Sequence, residues 1–401
     1  MSAKPIPYDQ DPVPFSARGL LHILEKLQYG RLTVELPDGS TRAFNGREPG
    51  PDARVTLRDW SAIATLLRKS EIGVAECWRD GLLATPDMTA FLTLCARNEK
   101  ALADVFYGNP LVSFMLRCAH ALRANTRGGA RKNIHAHYDL GNEFYGLWLD
   151  PTMTYSSAVF SHPGEALEVA QEAKYERILH ELGIDSSHHV LEIGCGWGGF
   201  AEYAARTRGC RVTGITISRA QLAFAQERIR RTGLEAFVDL RFCDYRDLAG
   251  EFDRVVSIEM LEAVGEKYWP TYFATVRRSL KPGGRSMIQS IVIDEAAFER
   301  YRRTSDFIRE YIFPGGMLPS VERFVAQAQG AGLAAGTPFR FGKDYAETLR
   351  RWRTVIDEKE AGIRALGFDD AFLSLWRFYL HYCEAGFDAG RIDVVQIELS
   401  R

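Results

Sequence analysis

The glycine-rich segment HVLEIGCGWGGF, residues 189–200, constrains the fold of this chain more than any other feature. An apolar, strand-like stretch ends there in Gly194, Gly196 and Gly198, and a helix-like stretch follows directly. Glycine lets the backbone turn tightly and lets a ligand approach it closely. The segment therefore predicts a strand, a turn and a helix, with a ligand bound at the turn. By itself this pattern fits a dinucleotide as well as other nucleotide-like ligands.

Strand and helix patterns alternate on both sides of the turn. A helix pattern over 170–183 precedes it, and strand patterns separated by helix patterns continue to about residue 293. Helices of this length between strands imply a doubly wound parallel sheet. The tail RIDVVQIELS, residues 391–400, predicts one further strand. The segment 294–335 interrupts the pattern and is predicted to be a mostly helical insertion.

Charged residues near the predicted sheet argue against NAD as the ligand. Glu192 stands two residues before the first glycine, and the next strand, 211–218, ends without the Asp or Glu that would bind an adenosine ribose. Asp244 follows the third strand, at the edge where open α/β sheets bind ligands. Residues 170–290 thus resemble the S-adenosylmethionine pocket of class I methyltransferases.

The length of 401 residues suffices for two or three domains. Residues 1–15 hold four prolines and are expected to be a flexible lead. Residues 16–115 predict a small α+β domain, because RLTVELPDGSTRAF is a hairpin pattern. Residues 116–135 predict a basic linker or helix, and 136–401 a catalytic domain.

Composition excludes several classes of protein. The net charge of −2 argues against a nucleic-acid binder. No apolar run reaches the ~18–20 residues of a membrane span, and the first residues lack the apolar stretch of a signal peptide. The seven cysteines lack metal-site spacing, so neither a metal nor a disulfide framework is expected. We therefore expect a cytoplasmic protein that meets the inner face of the membrane peripherally.

Four further motifs are more specific than the glycine turn. They are HYDLGNEFYGLWLDPTMTYSSAVF (137–160), IEMLEAVGEKYWPTYF (258–273), DFIREYIFPGGMLPS (306–320) and FGKDYAETLRRW (341–352). With LKPGG at 280–284, these motifs resemble the cyclopropane-fatty-acid synthase family over about residues 130–401. The small first domain resembles, less specifically, the lipid-associated domain of the bacterial phospholipid enzymes.

The resemblance implies a class I methyltransferase fold, with a seven-stranded sheet whose last strand is antiparallel. It also implies that the methyl carbon of S-adenosylmethionine is added to a double bond in the acyl chains of membrane phospholipids. The cofactor contacts that it assigns are Tyr155, Ser156, Glu192, Gly194, Gly196, Gly198, Thr216, Ser218, Gln221, Asp244 and Tyr245.

The chain departs from the family at the base. In the family, a bound bicarbonate removes a proton from the new methyl group so that the cyclopropane ring closes. Glu262 and Tyr345 match two ligands of that anion, whereas Ser157 and Gln289 replace a cysteine and a histidine. Both replacements still offer hydrogen-bond donors. Glu259 is expected to be structural or adjacent to the cofactor.

These departures leave the product open. The first candidate is a cyclopropane acyl chain, and the alternative is a methylene- or methyl-branched chain, as some relatives form with a separate reductase acting afterwards. A further alternative is a lipid-binding partner protein with reduced catalysis. A homodimer is suggested by the resemblance alone. Contact with an anionic membrane is expected through Arg117, Arg123, Arg127, Arg131 and Lys132.

Overall fold

The computed structural model describes residues 14–102 and 140–401. The first 13 residues of the predicted lead and the basic segment 116–135 therefore lie outside the described residues. The described chain forms two compact units, one made of 14–102 with Asp370–Ala385 and one made of 140–369 with Gly386–Arg401. Within the described ranges, no helix combines the length and the apolar character that crossing a membrane requires.

The first unit is built around a small mixed sheet. Its elements in chain order are α1 (Phe15–Leu24), β1 (Tyr29–Glu35), β2 (Thr41–Asn45), β3 (Glu48–Leu57), α2 (Ser61–Arg79), β4 (Leu83–Ala84) and α3 (Met88–Arg97). The strand order is β2-β1-β3-β4. β1 pairs antiparallel with β2, which confirms the predicted hairpin, and parallel with β3.

The second unit alternates strands and helices. Its first half contains α4 (Gly141–Trp148), α5 (Leu167–Glu181), β5 (His189–Ile193), α6 (Gly199–Arg208), β6 (Arg211–Thr216), α7 (Arg219–Arg231), β7 (Val238–Phe242) and β8 (Phe252–Ile258). Its second half contains α8 (Trp269–Ser279), β9 (Leu280–Ile293), α9 (Glu295–Arg303), α10 (Val321–Gly330), β10 (Ala334–Ala335), β11 (Phe339–Arg340), α11 (Gly342–Glu358), α12 (Glu360–Ala365), the end of α13 (Asp370–Asp388) and β12 (Ile392–Ser400). A π-helix at Ile308–Ile312 lies in the predicted insertion, which is mostly helical as expected.

The sheet of the second unit confirms the predicted doubly wound topology. Its order is β10-β12-β9-β8-β5-β6-β7, and β11 also pairs with β12. β5 through β9 are mutually parallel neighbours, and β12 is antiparallel to β9. The two-residue strands β10 and β11 share one edge of β12, so eight strands occupy seven positions. The strand order reverses between β5 and β8, where such sheets bind ligands.

The apolar core covers both faces of this sheet. Alternate residues of β5 point to opposite sides, so Leu191 packs in one cluster with Phe273 of α8 and Val190 in the other with Phe200 of α6. All four residues are at most 1% exposed. Helices on both faces thus hold β5 rigidly and fix the position of the turn that follows it.

Residues Asp370–Ala385 of α13 group with the first unit, whereas the sequence placed all of 136–401 in one domain. The hydroxyl of Tyr382 donates to the Glu71 carboxylate at 2.9 Å, and the hydroxyl of Thr89 donates to that of Glu384 at 3.1 Å. A helical pattern indicates that a helix forms but not which unit it completes, so this boundary could not be predicted.

Candidate active site

The glycine turn opens toward free space. Gly194, Gly196 and Gly198 have φ of +86°, +50° and +81°, a region that side chains disfavour. A Cβ atom on Gly194 would lie 3.0 Å from Cγ of Met260, whereas one on Gly196 would meet no described atom within 4 Å. The turn therefore exposes its backbone to a space that a ligand can enter.

Glu192 lies beside this turn, at the carboxyl end of β5. It is 3% exposed, and its Oε2 has no hydrogen-bond partner among the described residues. Burial raises the pKa of its carboxyl to about 8. A buried carboxyl oxygen without a partner favours a ligand that brings a donor. The ammonium group of S-adenosylmethionine is such a donor.

Three predicted cofactor residues meet at the end of β6. The Ser218 side chain caps α7 by accepting from the backbone N–H of Gln221 at 3.3 Å. The hydroxyl of Thr216 accepts from the N–H of Ser218 at 3.1 Å and donates to the side-chain oxygen of Gln221 at 3.3 Å. The structure thus groups neutral polar atoms where a dinucleotide fold would present an acid.

Asp244 and Tyr245 follow β7, at the same edge of the sheet. The carboxylate of Asp244 is buried and accepts from the Arg246 guanidinium at 2.9 and 2.7 Å. The ring centroids of Tyr245 and Tyr272 lie 5.8 Å apart, and burial raises the pKa of Tyr245 to about 12. Asp244 is therefore already ion-paired, and a cofactor must share this carboxylate with Arg246.

Tyr155 stands in an aromatic cluster. Its ring lies 5.4 Å from Tyr145, 5.6 Å from Trp148 and 5.4 Å from Trp352, measured between centroids. Aromatic faces attract cations, including sulfonium and carbon cations. Ser156, the next residue, is buried and does not join this cluster through its hydroxyl, which instead accepts from Nζ of Lys174 at 2.6 Å.

Taken together, these groups fit S-adenosylmethionine. The open turn, the unpartnered carboxyl of Glu192 and the neutral atoms after β6 all lie at the carboxyl ends of adjacent parallel strands. This donor and acceptor set suits an ammonium group, a ribose and an adenine ring. The sequence predicted these residues from the strand pattern and the resemblance.

Three predicted ligands of bicarbonate converge on a residue that the sequence did not place among them. The Glu259 Oε1 atom accepts from the backbone N–H of Ser157 at 2.9 Å and from Nε2 of Gln289 at 2.7 Å. Its Oε2 accepts from the hydroxyl of Tyr345 at 2.7 Å. The carboxylate at the centre of this donor set therefore belongs to the protein itself.

An unusual backbone conformation directs Glu259 to this place. Its φ is +50°, and its N–H donates to the carbonyl oxygen of Gln289 at 2.9 Å. The left-handed conformation costs a non-glycine residue roughly 1–2 kcal/mol, and hydrogen bonds to a charged group contribute about 1.5–3 kcal/mol each. The three hydrogen bonds that the Glu259 carboxylate accepts therefore offset the cost. An acid directly after a central parallel strand was the signal that could have revealed Glu259.

The neighbour of Gln289 fixes the direction of its amide. On the antiparallel partner strand β12, Gln396 donates from Nε2 to Oε1 of Gln289 at 3.0 Å. The Gln289 Nε2 atom must then face Glu259, so the amide donates to the carboxylate. Burial raises the pKa of Glu259, while Lys174 and the three donors oppose that rise.

Two predicted ligands are arranged differently from the expectation. The hydroxyl of Ser157 donates to the carbonyl of Ala158 at 2.9 Å, so its backbone N–H and not its side chain serves the carboxylate. Glu262 accepts through Oε1 from the N–H of Ile291 and from the hydroxyl of Ser290. Its Oε2 is buried without a partner among the described residues. Burial first, and then the charge of Glu259, raises the pKa of Glu262 to about 8.

Bicarbonate does not fit this arrangement. The backbone donor of Ser157 and the side-chain donors of Gln289 and Tyr345 are all used by the Glu259 carboxylate. A second anion at the same donors would face the charge of Glu259 at close range, which is unfavourable in a buried site. Three of the four residues that the resemblance assigns to bicarbonate thus already hold a carboxylate.

Comparisons with known proteins identify the family of this chain. The model of the mycolic acid cyclopropane synthetase family matches residues 126–397. Tuberculostearic acid methyltransferase UfaA1 of Mycobacterium tuberculosis is 38% identical over 353 residues, which cover 83% of this chain and 80% of the relative. Cyclopropane-fatty-acyl-phospholipid synthase of Escherichia coli is 36% identical over 375 residues, covering 92% and 93%.

Two solved structures are similar in fold over about two thirds of this chain. Mycolic acid cyclopropane synthase CmaA1 in complex with SAH has a TM-score of 0.64 and 28% identity, and covers 68% of this chain and 98% of its own. Cyclopropane synthase MmaA2 from Mycobacterium tuberculosis has a TM-score of 0.64 and 29% identity, with the same coverage. Because the family model spans most of the chain and relatives of 38% and 36% identity cover 83% and 92% of it, this protein belongs to the mycolic acid cyclopropane synthetase family and is an S-adenosylmethionine-dependent methyltransferase.

Proposed function

We propose that this protein transfers the methyl carbon of S-adenosylmethionine to the double bond of an unsaturated phospholipid acyl chain, and that Glu259 accepts the proton that the product loses. The carboxylate of Glu259, held by the donors of Ser157, Gln289 and Tyr345, carries the proposal. The names of the two relatives above, one for a fatty acid methyltransferase and one for an acyl-phospholipid synthase, support the substrate class.

The first step, methyl transfer to the double bond, requires a site that stabilises a carbocation on the acyl chain. When bound at Glu192 and the glycine turn, S-adenosylmethionine supplies an electrophilic methyl group, whose bond to sulfur breaks with its electron pair on sulfur. The π electrons of the acyl double bond form the new carbon–carbon bond, which leaves a positive charge on the adjacent chain carbon. The aromatic faces around Tyr155 stabilise positive charge, and their burial keeps water from capturing it.

The second step requires a base in a dry site. Glu259 accepts a proton through its carboxylate, and the electrons of the broken C–H bond form either a double bond or the third side of a ring. Tyr345 and Gln289 hold the carboxylate in one orientation, and both are buried, with exposures of 5% and 0%. A positioned base of this kind contributes typically 10²–10⁴-fold to a rate.

The branched product is the outcome we favour. Ring closure in the family depends, by the resemblance, on a bicarbonate, and here the corresponding donors hold a side chain instead. Loss of the proton without ring closure leaves a methylene branch, and a saturated branch then needs a reductant supplied by a separate reductase. The 38% identity to a tuberculostearic acid methyltransferase supports this product.

Cyclopropanation is the second candidate. The cyclopropane-fatty-acyl-phospholipid synthase matches 92% of this chain, and the match therefore extends into the first unit. Both reactions add one carbon and lose one proton, so a carboxylate base serves either of them.

The test is lipid analysis of a bacterial host rich in unsaturated phospholipid, with and without the protein. Mass spectrometry measures acyl chains with one added carbon, and proton NMR separates vinylidene, branched-methyl and cyclopropane protons. We expect vinylidene or branched-methyl signals, whereas ring protons would favour the second candidate. Glu259→Gln should lose at least 100-fold of the turnover, while Glu168→Gln, on the exposed face of α5, should not. Full turnover by Glu259→Gln would refute the assigned base.

A further inference from the structure

Lys174 is buried in an unusual way. It lies on α5 with an exposure of 0%, and its Nζ donates to the hydroxyl oxygen of Ser156 at 2.6 Å and to the side-chain oxygen of Gln171 at 2.7 Å. Both acceptors are neutral. Within the described part of the chain, this ammonium group forms no ion pair at contact distance. Burying an ammonium group without a paired acid is costly, so a neutral side chain would serve packing better.

The charges that act on Lys174 include the proposed base. Glu259 is the stronger of the two acids that favour its charged form, and Asp150 is the other. In return, Lys174 favours the ionised form of Glu259 more than any other group does, ahead of Tyr345. The charge of Glu259 in turn opposes ionisation of the neighbouring carboxyl of Glu262.

Lys174 is also linked to Glu259 through hydrogen bonds around the peptide group between Ser156 and Ser157. Lys174 holds the hydroxyl of Ser156, and Gln171, one turn earlier on α5, donates from Nε2 to the carbonyl of Ser156 at 2.9 Å. The next backbone N–H, that of Ser157, donates to Glu259 at 2.9 Å. One face of α5 therefore fixes the peptide that delivers a donor to the base.

We propose that Lys174 is a positioning residue for methyl transfer, which keeps Glu259 ionised through its charge and orients the Ser157 N–H through its bond to Ser156. This inference rests on the proposed role of Glu259 as the base. Lys174 reaches Glu259 through Ser156 and its own field, so it acts through another group and does not accept the substrate proton. Burial lowers the pKa of Lys174 to about 7, so its charge is sensitive to substitution and to pH near neutrality.

The experiment measures turnover against pH for the full chain with vesicles of dioleoyl phosphatidylglycerol. If the charge of Lys174 favours the carboxylate, removing it raises the pKa of Glu259, and the acidic limb of the kcat profile moves to higher pH. We expect Lys174→Met to move this limb upward by about 1 unit and to lower kcat at neutral pH by about tenfold. The KM for S-adenosylmethionine should stay within about twofold, because Lys174 is not itself a predicted cofactor contact and Gln171 still holds the carbonyl of Ser156.

Two further variants keep the test decisive. Lys174→Arg keeps a permanent charge, so its acidic limb should remain at the wild-type pH. Lys174→Gln keeps a donor for Ser156 but not the charge, so it should move the acidic limb of the kcat profile as far as Lys174→Met does. It also serves as the test variant if Lys174→Met does not fold. Lys359→Met, at an exposed helix end, is the matched control and should change nothing.

Two results would overturn different parts of the reasoning. An unmoved limb in both Lys174→Met and Lys174→Gln, with Glu259→Gln inactive, refutes the inference and leaves the proposed base intact. Full turnover by Glu259→Gln refutes the proposed base itself. Loss of cofactor binding in proportion to kcat would mean that Lys174 only maintains the fold.

Discussion

Replacing Glu259 by glycine should convert the built-in base into a site for an external one. The residue has φ of +50°, which glycine adopts freely, so the substitution removes the left-handed cost of roughly 1–2 kcal/mol. It also removes the carboxylate that Ser157, Gln289 and Tyr345 bind, a loss of about 1.5–3 kcal/mol per hydrogen bond. The variant should therefore be less stable by a few kcal/mol yet keep its backbone path.

The three freed donors then offer a place for a small carboxylate. We expect Glu259→Gly to lose about 10²–10⁴-fold of the turnover, the usual contribution of a general base, and to regain a measurable part when formate or bicarbonate is added. The assay is the release of S-adenosylhomocysteine with vesicles containing unsaturated phospholipid, followed by mass spectrometry of the acyl chains. Glu259→Gln is the matched comparison, because its amide fills the space and should not be rescued.

Two outcomes would refute this reasoning. Turnover by Glu259→Gly at the wild-type rate without any added anion would mean that another group accepts the proton. A folded, cofactor-binding variant that no carboxylate rescues at any concentration would mean that the three donors do not form an anion site. Chloride at equal ionic strength controls for effects of salt.

The remaining predictions concern the other buried acids. Glu192 has a pKa of about 8 in the free protein, so pairing with the ammonium group of the cofactor should release close to one proton at pH 7. Calorimetry of cofactor binding in buffers of different ionisation enthalpy measures this proton release. Glu192→Gln should release no proton and should bind the cofactor roughly tenfold more weakly. Glu262 also has a pKa of about 8, above its unfolded value, so its contribution to stability is complete below about pH 4.5 and is lost as the pH rises through 8. The unfolding free energy of Glu262→Gln, measured by urea titration relative to wild type, should therefore be more favourable at pH 8 than at pH 5. The same difference between variant and wild type at both pH values would contradict the assigned burial. Asp244→Asn leaves the Arg246 guanidinium without its carboxylate and should lower the unfolding free energy by about 3 kcal/mol, measured the same way; a smaller loss than about 1 kcal/mol would show that solvent already screens this pair.

Local sequence patterns were sufficient to predict the sheet and the cofactor edge. The alternation of apolar strands and helices between residues 189 and 293 sets β5 to β9, and the glycines sit where the turn requires positive φ. Both signals are local, and short-range periodicity conveys them directly.

The base could not be predicted in the same way. The groups that surround Glu259 come from four distant parts of the chain, at residues 157, 174, 289 and 345, and no local pattern links them. The positive φ of residue 259 directs its side chain toward the three donors, and the presence of a glutamate in the sequence does not predict a left-handed backbone conformation. The hydroxyl of Ser157 likewise turns to a neighbouring carbonyl, a choice that only the folded backbone determines.

The division of α13 between the two units has a consequence for how the chain can be cut and for the order in which it folds. The first unit includes Asp370–Ala385. The second unit includes β12, which follows that helix and pairs with β9 along nine residue positions. Neither unit can complete its packing before these late segments have been synthesised, so the earlier parts of both units lack a packing partner until then. A single truncation cannot isolate either unit: a cut at residue 369 would remove a helix from one and an interior strand from the other. Separate study of the two units requires a circular permutation or a duplicated helix.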